Sequence, residues 1–280
     1  MARHLEWIIH RDSFYNAQMC QIAIEKIKSY DDRVDVIDKN TRHVMSNIIL
    51  YDESLVSAKY AAKLFGINGL TFLDCFKVRA YSPSCYMRDS TDEFLNADCV
   101  FMPMWQLKRN VEYFDDDTVV FIKSNAPIKN FTGRLFTKEE LVEVGITEKY
   151  TDTDPKIYYY VVDDYGMVMI SQFHDIEPVE YRFYIVGDKV STFGVRSNDS
   201  SILNLDWYVQ DADDMIKYAN KIVANNSYCR DCVLDLAKIK YSGDIKIISM
   251  SPYKIADIYY GVDVNKYIED LRNYQLQGQD

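Results

Sequence analysis

The chain has 280 residues, of which 48% are apolar and 14% aromatic, so it can bury a large core in one large domain or two tightly joined ones. Its 32 basic and 43 acidic residues give a formal net charge of -11. This balance argues against phosphate-backbone binding as the main function, because such binding needs a basic surface, and we expect no nucleic-acid partner. An acidic surface serves solubility or the docking of a basic protein, and the sequence does not separate the two.

Membrane and secretory signals are missing from the sequence. No apolar run approaches the ~18 residues that span a bilayer, and charges interrupt the N-terminal residues too early for a signal peptide. The six cysteines lack the spacing of a disulfide framework, and the pair Cys229 and Cys232 has no second pair at zinc spacing. We expect a reduced, cytoplasmic protein without a membrane partner, whose oligomeric state the sequence does not indicate.

The N-terminal part alternates strands with amphipathic helices. Residues 5–9, 34–37 and 47–51 have the apolar runs of strands. Ser13 is placed to cap a helix whose apolar side chains recur at helical spacing, and a second helix is expected at residues 55–65. This order predicts a small open α/β domain over residues 1–115, followed by a domain over residues 116–280.

Beyond the acidic turn at residues 115–117, strands are expected in hairpin-like pairs at residues 117–123, 156–162, 167–173, 180–186 and 189–195, with turns at 163–166 and 187–188. Thr137 and Glu140 have the spacing of a capping box. Asp211 is expected to cap a helix with a buried stripe of Met215, Ala219, Ile222 and Val223. Strands at 231–236 and 244–250 precede a final helix that carries Val264, Tyr267, Ile268 and Leu271.

Two lysines could handle phosphate. Lys123 ends an apolar strand, and Lys129 lies in a loop with Gly133. A lysine that reaches inward, beside a glycine whose backbone can approach a ligand closely, is an arrangement that binds phosphate. Two solvated loop lysines explain the same spacing, and spacing alone favours that interpretation.

A second set of charges lies on adjacent strands. Glu180 and Arg182 alternate with aromatic residues and therefore point to one face of their strand. They form either a surface pair that stabilises the fold little or the lining of a cleft. If the strand forms a hairpin with the next one, Arg196 lies nearby, and two guanidinium groups on one sheet edge are hard to explain by stability alone.

The order of six motifs resembles the ATP-grasp superfamily: Phe-Ile-Lys123, Lys129-Asn-Phe-Thr-Gly133, Glu180-Tyr-Arg182, Arg196, Leu-Asp235-Leu-Ala and Ser249-Met-Ser251-Pro. The clade it resembles most is the one named for two arginines and a lysine, from bacteria and their phages. The resemblance covers residues 117–260, and the preceding unit is similar to a pre-ATP-grasp domain. It implies an α/β domain followed by an ATP-grasp-like α+β domain of two lobes, with ATP between the lobes.

The resemblance also implies a chemistry and roles for individual residues. Proteins of this superfamily join a carboxylate to an amine, often at one end of a peptide, through an acyl-phosphate made with ATP and Mg²⁺. Lys123, Lys129, Gly133 and Glu180 would contact the nucleotide, with Lys129 on its phosphates and Gly133 in a lid loop. Arg182 and Arg196 would serve catalysis in the cleft. Asp235, Ser249 and Ser251 occupy the metal-ligand positions.

Three of these positions depart from the family pattern. Lys123 stands where the clade has its first arginine, which keeps the charge and loses the bidentate fork. Ser249 and Ser251 stand where the family has a glutamate and an asparagine on Mg²⁺, which leaves Asp235 as the only obvious anionic ligand. Asp257, where the family favours glycine, compensates only if its loop folds back. We expect Mg²⁺ binding to be weak or impaired.

Two functions agree with these residues. The first expectation is an ATP-dependent carboxylate–amine ligase that acts on a peptide or protein, because Lys129, Arg182, Arg196 and Asp235 are present. The alternative is a catalytically degenerate ATP-grasp protein that binds or inhibits a partner, for example a phage-encoded factor directed at a host protein. The substituted metal positions and the acidic, tyrosine-rich surface favour this alternative.

Overall fold

A computed structural model describes residues 4–37, 48–52, 82–87, 91–125, 133–141, 166–252 and 256–277. The chain forms two compact units: Met1–Val78 together with Ile176–Asp280, and Arg79–Asp175. The predicted domain division at residues 115 and 116 stays a prediction, and that position lies inside the second unit. The predicted helix at 55–65 and the predicted strand at 156–162 lie outside the described residues, as does the turn at 163–166 apart from Gly166.

The first unit begins with a small mixed sheet and one helix. Strand β1 (Leu5–His10) pairs in parallel with β2 (Arg33–Ile37) and antiparallel with β3 (Ile48–Asp52), and helix α1 (Ala17–Lys28) connects β1 to β2. Alternate residues of β1 are completely buried, as a strand with one face on the core requires: Leu5, Trp7 and Ile9. The three predicted strands and the helix between the first two are confirmed.

The predicted cap of α1 is wrong. Asn16 caps the helix, and its side-chain oxygen accepts a hydrogen bond of 2.9 Å from the backbone nitrogen of Met19. Ser13 instead ends a short 3₁₀ turn, Arg11–Ser13, and its carbonyl accepts a hydrogen bond of 2.7 Å from the backbone nitrogen of Ile258. A long-range bridge therefore fixes Ser13, and the helix begins one turn later.

A second, antiparallel sheet follows in the same unit. Strands β8 (Val179–Val186), β9 (Lys189–Ser197), β10 (Cys232–Lys238) and β11 (Ile245–Pro252) are arranged in the order β11-β10-β8-β9. Gly187 turns the β8–β9 hairpin with a φ of 64°, in the left-handed region that glycine adopts without strain. The four predicted strands and the hairpin are confirmed.

Three further helices belong to this unit: α4 (Asp206–Gln210), α5 (Asp213–Asn225) and α6 (Val264–Gln277). The predicted buried residues of the last two are confirmed. Asp211 was expected to cap α5, and this is wrong. Its backbone nitrogen donates to the carbonyl of Trp207 and so ends α4, while α5 starts after Ala212 without a side-chain cap.

A buried carboxylate joins the N-terminal sheet to α6. Asp32 is 5% exposed and accepts hydrogen bonds from the backbone nitrogen of Leu5 (2.9 Å) and from Nε1 of Trp7 (3.1 Å). Nε of Arg272, on α6, donates to the same carboxylate at 2.9 Å. Side chains from β1, α1 and α6 form one continuous apolar core around it.

The second unit contains the helices α2 (Pro83–Tyr86) and α3 (Met104–Asn110) and a four-stranded sheet. Its strands are β4 (Val100–Pro103), β5 (Val119–Ser124), β6 (Arg134–Thr137) and β7 (Met167–Gln172), in the order β4-β7-β5-β6. The predicted strands at 117–123 and 167–173 are confirmed.

The predicted capping box is also confirmed. The backbone nitrogen of Thr137 donates to the carboxylate of Glu140 at 2.9 Å, and the backbone nitrogen of Glu140 donates to the Thr137 hydroxyl at 3.2 Å. None of the helices in the described part of the chain has the length and apolar character needed to cross a bilayer.

Replacing Asp32 tests how the two ends of the first unit are held together. Asp32→Ala leaves two buried N–H groups and Arg272 without their carboxylate, so we expect the free energy of unfolding to fall by about 3 kcal/mol. Asp35→Ala, a half-buried carboxylate on β2, is the control and should change stability by about 0.5 kcal/mol or less. Urea unfolding measures both, and equal losses would contradict the role of Asp32.

Candidate functional site

A row of four residues crosses the second sheet of the first unit. Asp235 on β10 lies opposite Ser249 on β11 and opposite Arg182 on β8, and Arg182 lies opposite Gly194 on β9. Directly opposed residues of antiparallel strands project to the same face. The register therefore brings one carboxylate, one guanidinium and one hydroxyl into contact, although 14 and 53 positions separate Asp235 from its two partners.

Arg182 and Asp235 form a buried bidentate ion pair. Nε and Nη2 of Arg182 donate to the two carboxylate oxygens of Asp235 at 2.7 and 3.0 Å, and the Ser249 hydroxyl donates to the second oxygen at 2.6 Å. Asp235 is 3% exposed, and Arg182 and Ser249 are each 8% exposed. The guanidinium and the hydroxyl thus bind both oxygens of the carboxylate within the fold.

The chain after β11 folds back over this ion pair. Nη1 of Arg182 donates to the backbone oxygen of Asp257 at 3.2 Å, and the Tyr184 hydroxyl donates to the same oxygen at 2.6 Å. The Tyr184 hydroxyl also accepts a hydrogen bond of 3.1 Å from the backbone nitrogen of Tyr259. The ring of Tyr259 stacks on the guanidinium of Arg182, with 3.9 Å between ring centre and Cζ.

Gly194 makes this close approach possible. A β-carbon at position 194 would lie 2.8 Å from the backbone oxygen of Tyr260 and 2.9 Å from Cβ of Tyr259. The backbone nitrogen of Val195 donates to that same Tyr260 oxygen at 2.8 Å. The segment around Tyr259 therefore lies directly on β9 because residue 194 has no side chain.

The electrostatic environment stabilises the charged form of Arg182. Burial disfavours the guanidinium charge, but the charge of Asp235 and its hydrogen bonds outweigh burial and raise the pKa of Arg182. Burial raises the pKa of the Tyr259 hydroxyl to about 12, with a further contribution from Asp235. Arg182 and Tyr259 therefore keep their protons across the neutral range.

A second polar row lies beside the first. Glu180 on β8 lies opposite Arg196 on β9, as the predicted hairpin requires. The Glu180 carboxylate accepts a hydrogen bond of 2.6 Å from the side-chain amide of Asn198, and Nη1 of Arg196 donates to the Tyr259 hydroxyl at 3.5 Å. Burial raises the pKa of Glu180, and the nearby charge of Asp235 raises it further.

The three predicted metal ligands share one face of the sheet. Ser251 lies two residues after Ser249 on β11, opposite Val233, and is half-buried. The register places Asp235, Ser249 and Ser251 on neighbouring strands with one common face. Their role as metal ligands stays a prediction.

These donors do not fit Mg²⁺. The ion prefers hard anionic oxygens in near-octahedral geometry, whereas this corner offers one carboxylate, already neutralised by Arg182, and two hydroxyls. Across the described residues, no three histidine, cysteine, aspartate or glutamate side chains are grouped to hold a metal. Cys229 and Cys232 are free thiols, completely buried, and the hydrogen bond that the Cys232 thiol donates to Cys229 raises the pKa of Cys232.

The predicted phosphate-binding residues belong to the second unit. Lys123 lies on β5, and its Nζ donates to the Tyr86 hydroxyl at 3.4 Å. Gly133 packs directly beside it, because a β-carbon at position 133 would lie 2.9 Å from Cβ of Lys123. Lys129 lies outside the described residues. The structure therefore brings Lys123 and Gly133 together, and their contact with a nucleotide stays a prediction.

A cavity of about 450 Å³ opens next to the second polar row, within the first unit. Arg196 and Tyr259 line it on the sheet side, and Asp12 and Tyr15 line it from the segment after β1. The chain that follows β9 closes it with Ile202 and Leu205. The cavity thus combines one guanidinium with aromatic, aliphatic and carboxylate groups.

The sequence interpretation missed the residues that cover the ion pair. Tyr184, Gly194 and Tyr259 were assigned to packing or received no role. Tyr184 follows Arg182 by two positions, which places both on the polar face, and this was the available signal. The loop that carries Asp257 does fold back, as one expectation required, but its backbone oxygen makes the contact with Arg182.

Comparisons with known proteins bear on the fold. No protein-family model and no curated protein matches the sequence. Among solved structures, D-alanyl-alanine synthetase A from Vibrio cholerae O1 biovar eltor is similar over 99% of both chains, with 10% identity and a TM-score of 0.50. The fold is ATP-grasp-like.

Two further structures are similar at a TM-score of 0.49 and 10% identity. One is a RimK domain ATP-grasp protein from Sphaerobacter thermophilus, matched over 94% of this chain and 98% of that chain. The other is a RiPP-associated ATP-grasp ligase from Chryseobacterium gregarium, solved with ADP and a leader and core peptide, matched over 97% and 96%. The likeness to D-alanyl-alanine synthetase A confirms the predicted ATP-grasp-like α/β and α+β fold class.

A double-mutant cycle tests whether Arg182 and Asp235 act as a structural pair. Asp235→Ala leaves a buried guanidinium without its carboxylate, so we expect a loss of about 3–5 kcal/mol in the free energy of unfolding. The double variant Arg182→Met with Asp235→Leu removes both charges and should lie within about 1 kcal/mol of the native protein. A double variant as unstable as Asp235→Ala would contradict this role.

Glu180 should make the stability depend on pH. Its pKa is raised above the ordinary 4.5, so the folded state holds the proton more tightly than the unfolded state. This contribution is fully present below pH 4.5 and is lost as the pH rises through the folded-state pKa. Glu180→Gln cannot lose the proton, so thermal unfolding across pH should show it gaining stability relative to the native protein as pH rises. Glu177→Gln, at an exposed site, should follow the native curve.

Proposed function

We propose that this protein binds ATP on an ATP-grasp-like fold and acts by binding a peptide or protein partner, without ligation that depends on Mg²⁺ at Asp235. One observation carries the proposal: both oxygens of the Asp235 carboxylate are bound by Arg182 and Ser249 inside the fold. We infer that an ATP-grasp-type protein whose metal-ligand carboxylate is bound by its own side chains is a binding protein, for example a phage-encoded factor that inhibits a host protein.

The requirements of phosphoryl transfer explain why the side chains around Asp235 decide the function. The reaction depends on positioning and on metal charge between the β- and γ-phosphates of ATP. A carboxylate that a guanidinium has neutralised attracts a divalent cation weakly, and the hydroxyls of Ser249 and Ser251 add no negative charge. Nucleotide binding can persist under these conditions, because lysine side chains and backbone groups bind phosphate without a metal.

The nucleotide-binding part of the proposal rests on the second unit. We assign the phosphate contacts to Lys123 and Lys129, and the close backbone approach to Gly133. Gly133 immediately precedes β6 and packs beside Lys123 of the adjacent strand β5, which supports their assignment as a phosphate-binding pair. The ATP-grasp-like fold and the resemblance of the motifs support ATP as the nucleotide. The free, buried thiols of Cys20, Cys229 and Cys232 are in keeping with a reducing, cytoplasmic location.

A specific arrangement favours a second candidate, an ATP-dependent carboxylate–amine ligase that acts on a peptide or protein through an acyl-phosphate. Glu180, Arg182 and Arg196 lie together on one sheet face, and stability alone does not require two guanidinium groups there. The likeness in fold to D-alanyl-alanine synthetase A extends over 99% of both chains. In this candidate, Arg196 would meet the reacting carboxylate or the phosphate, since Arg182 is held by Asp235.

Restoring the metal ligands distinguishes the two candidates. For the native protein we expect ADP release from Mg·ATP at background level and ATP affinity that Mg²⁺ does not increase. The double change Ser249→Glu with Ser251→Asn adds one carboxylate and one carbonyl ligand, so Mg²⁺ should increase its ATP affinity on the order of ten-fold, equal to about 1.4 kcal/mol. Calorimetry and a coupled ADP assay measure both quantities. Ser227→Glu, with the same charge change at an exposed site, is the control.

Three other results would contradict the binding-protein proposal or part of it. Native ADP release well above background that Asp235→Asn abolishes, while thermal unfolding shows the variant folded, would establish the ligase and reject the binding protein. Native release that survives Asp235→Asn would mean that any metal is held elsewhere. A native protein with no measurable ATP affinity would reject the nucleotide-binding part of the proposal.

A further inference from the structure

Three large apolar side chains are exposed at the cavity of the first unit or near it in the sequence: Tyr15 lines it, and Leu203 and Trp207 flank its lining residues Ile202 and Leu205 along the chain. Leu203 is 94% exposed, Trp207 60% and Tyr15 53%. Exposed apolar residues that occur singly are ordinary, but several around one concave site mark an interaction surface. We call the group formed by Tyr15, Leu203, Leu205, Trp207 and Tyr260 the α4 surface, because α4 and its flanking residues carry most of it.

Direct contacts hold this surface together. The rings of Tyr15 and Tyr260 meet edge to face, with 5.1 Å between their centres. The Tyr260 hydroxyl donates a hydrogen bond to the carboxylate of Asp206, the first residue of α4. Tyr15 and Leu205 both line the cavity. The segment after β1, the helix α4 and the end of the 256–260 segment thus form one wall.

Carboxylates surround the apolar residues. Asp12, Asp199 and Asp257 line the cavity, and all three are exposed to solvent. Asp206 begins α4, and Asp211 follows its last residue. Their charges add to a chain whose formal net charge is -11, so the potential around the cavity attracts cations.

Arg196 is the basic residue among those that line the cavity, and neighbouring groups partly offset its positive charge. It donates to the Tyr259 hydroxyl, lies 5.8 Å from the centre of that ring and faces Glu180 across the hairpin. The exposed carboxylates that line the cavity outnumber it three to one. The rim of the cavity therefore remains acidic despite the guanidinium of Arg196.

We propose that the α4 surface binds a basic peptide segment with one large apolar side chain. The apolar side chain would enter the cavity of about 450 Å³, which has room for a leucine or tryptophan side chain, and lie against Tyr15 and Leu205. Lysine or arginine residues on either side would meet Asp12, Asp199 and Asp206 at the rim. Leu203 and Trp207 would cover the bound segment from outside.

Charge complementarity selects this occupant. A second copy of this chain would bring another acidic surface, and an acidic peptide would meet the same repulsion. Peptide binding at the α4 surface does not depend on ATP, because the nucleotide contacts are assigned to Lys123, Lys129 and Gly133, none of which belongs to that surface. Its failure and the failure of the nucleotide proposal are therefore separate results.

The test uses a short, fluorescently labelled peptide of lysine and serine with one central tryptophan, titrated into the full chain and followed by anisotropy. Two further probes are the same peptide with glutamate for lysine and with serine for tryptophan. We expect saturable binding of the first probe, at least about ten-fold weaker binding of the other two, and weakening of the first by added salt, since exposed charges are screened.

Variants locate the binding surface. Leu203→Ser and Trp207→Ser change exposed side chains, so the fold should persist, and each should weaken binding of the basic probe by about ten-fold. Tyr241→Ser is the matched control, because Tyr241 is 91% exposed in the β10–β11 turn beside Lys240, and it should leave binding unchanged. Thermal unfolding confirms that all variants are folded.

Each other outcome rejects the proposal. Equal binding of the lysine and glutamate probes would show that charge does not select the occupant. Absence of binding, or an unchanged affinity in both Leu203→Ser and Trp207→Ser, would show that the α4 surface is not the site. Sedimentation of the unliganded chain as a dimer that Trp207→Ser dissociates would assign the surface to a second copy instead.

Discussion

The buried ion pair between Arg182 and Asp235 is the interaction on which the arrangement of the first unit depends. A charge with so little solvent exposure is stable only with a well-placed partner, and the cross-strand register supplies one at 2.7 and 3.0 Å. The third guanidinium nitrogen of Arg182, Nη1, then needs an acceptor, which the Asp257 backbone provides. The pair thereby determines where the chain after β11 crosses the sheet.

The same pair limits what the polar face can do. The positive charge of Arg182 offsets the negative charge of Asp235, and Ser249 occupies one of its oxygens, so little net charge remains to attract a metal. Arg196, in contrast, is exposed to solvent and lines an open cavity, where it donates to the Tyr259 hydroxyl. Arg182 and Arg196 share one sheet face, but Arg182 is buried in the ion pair whereas Arg196 is exposed to solvent.

The sequence predicted most of the described strands and the polar face, because alternation and hairpin turns are local signals, but it missed the short strands β4 and β6. The alternation of Glu180 and Arg182 with aromatic residues correctly placed both on one face. Ser13 and Asp211 were misassigned as caps because each had a suitable side chain while a backbone contact decided its position. The role of Tyr259 could not be predicted from the sequence, because 75 positions separate Tyr259 from Tyr184 and no local pattern connects the two residues.

The contact between Asp32 and Arg272 has a consequence for the order of folding. These residues are 240 positions apart, and the whole second unit lies between the two parts of the chain that build the first. While the chain grows on the ribosome, β1 and α1 are made early, but their buried carboxylate stays without its guanidinium until α6 emerges. Trp7 and the apolar residues around it must therefore be shielded by other means during most of synthesis, and the second unit is free to fold first.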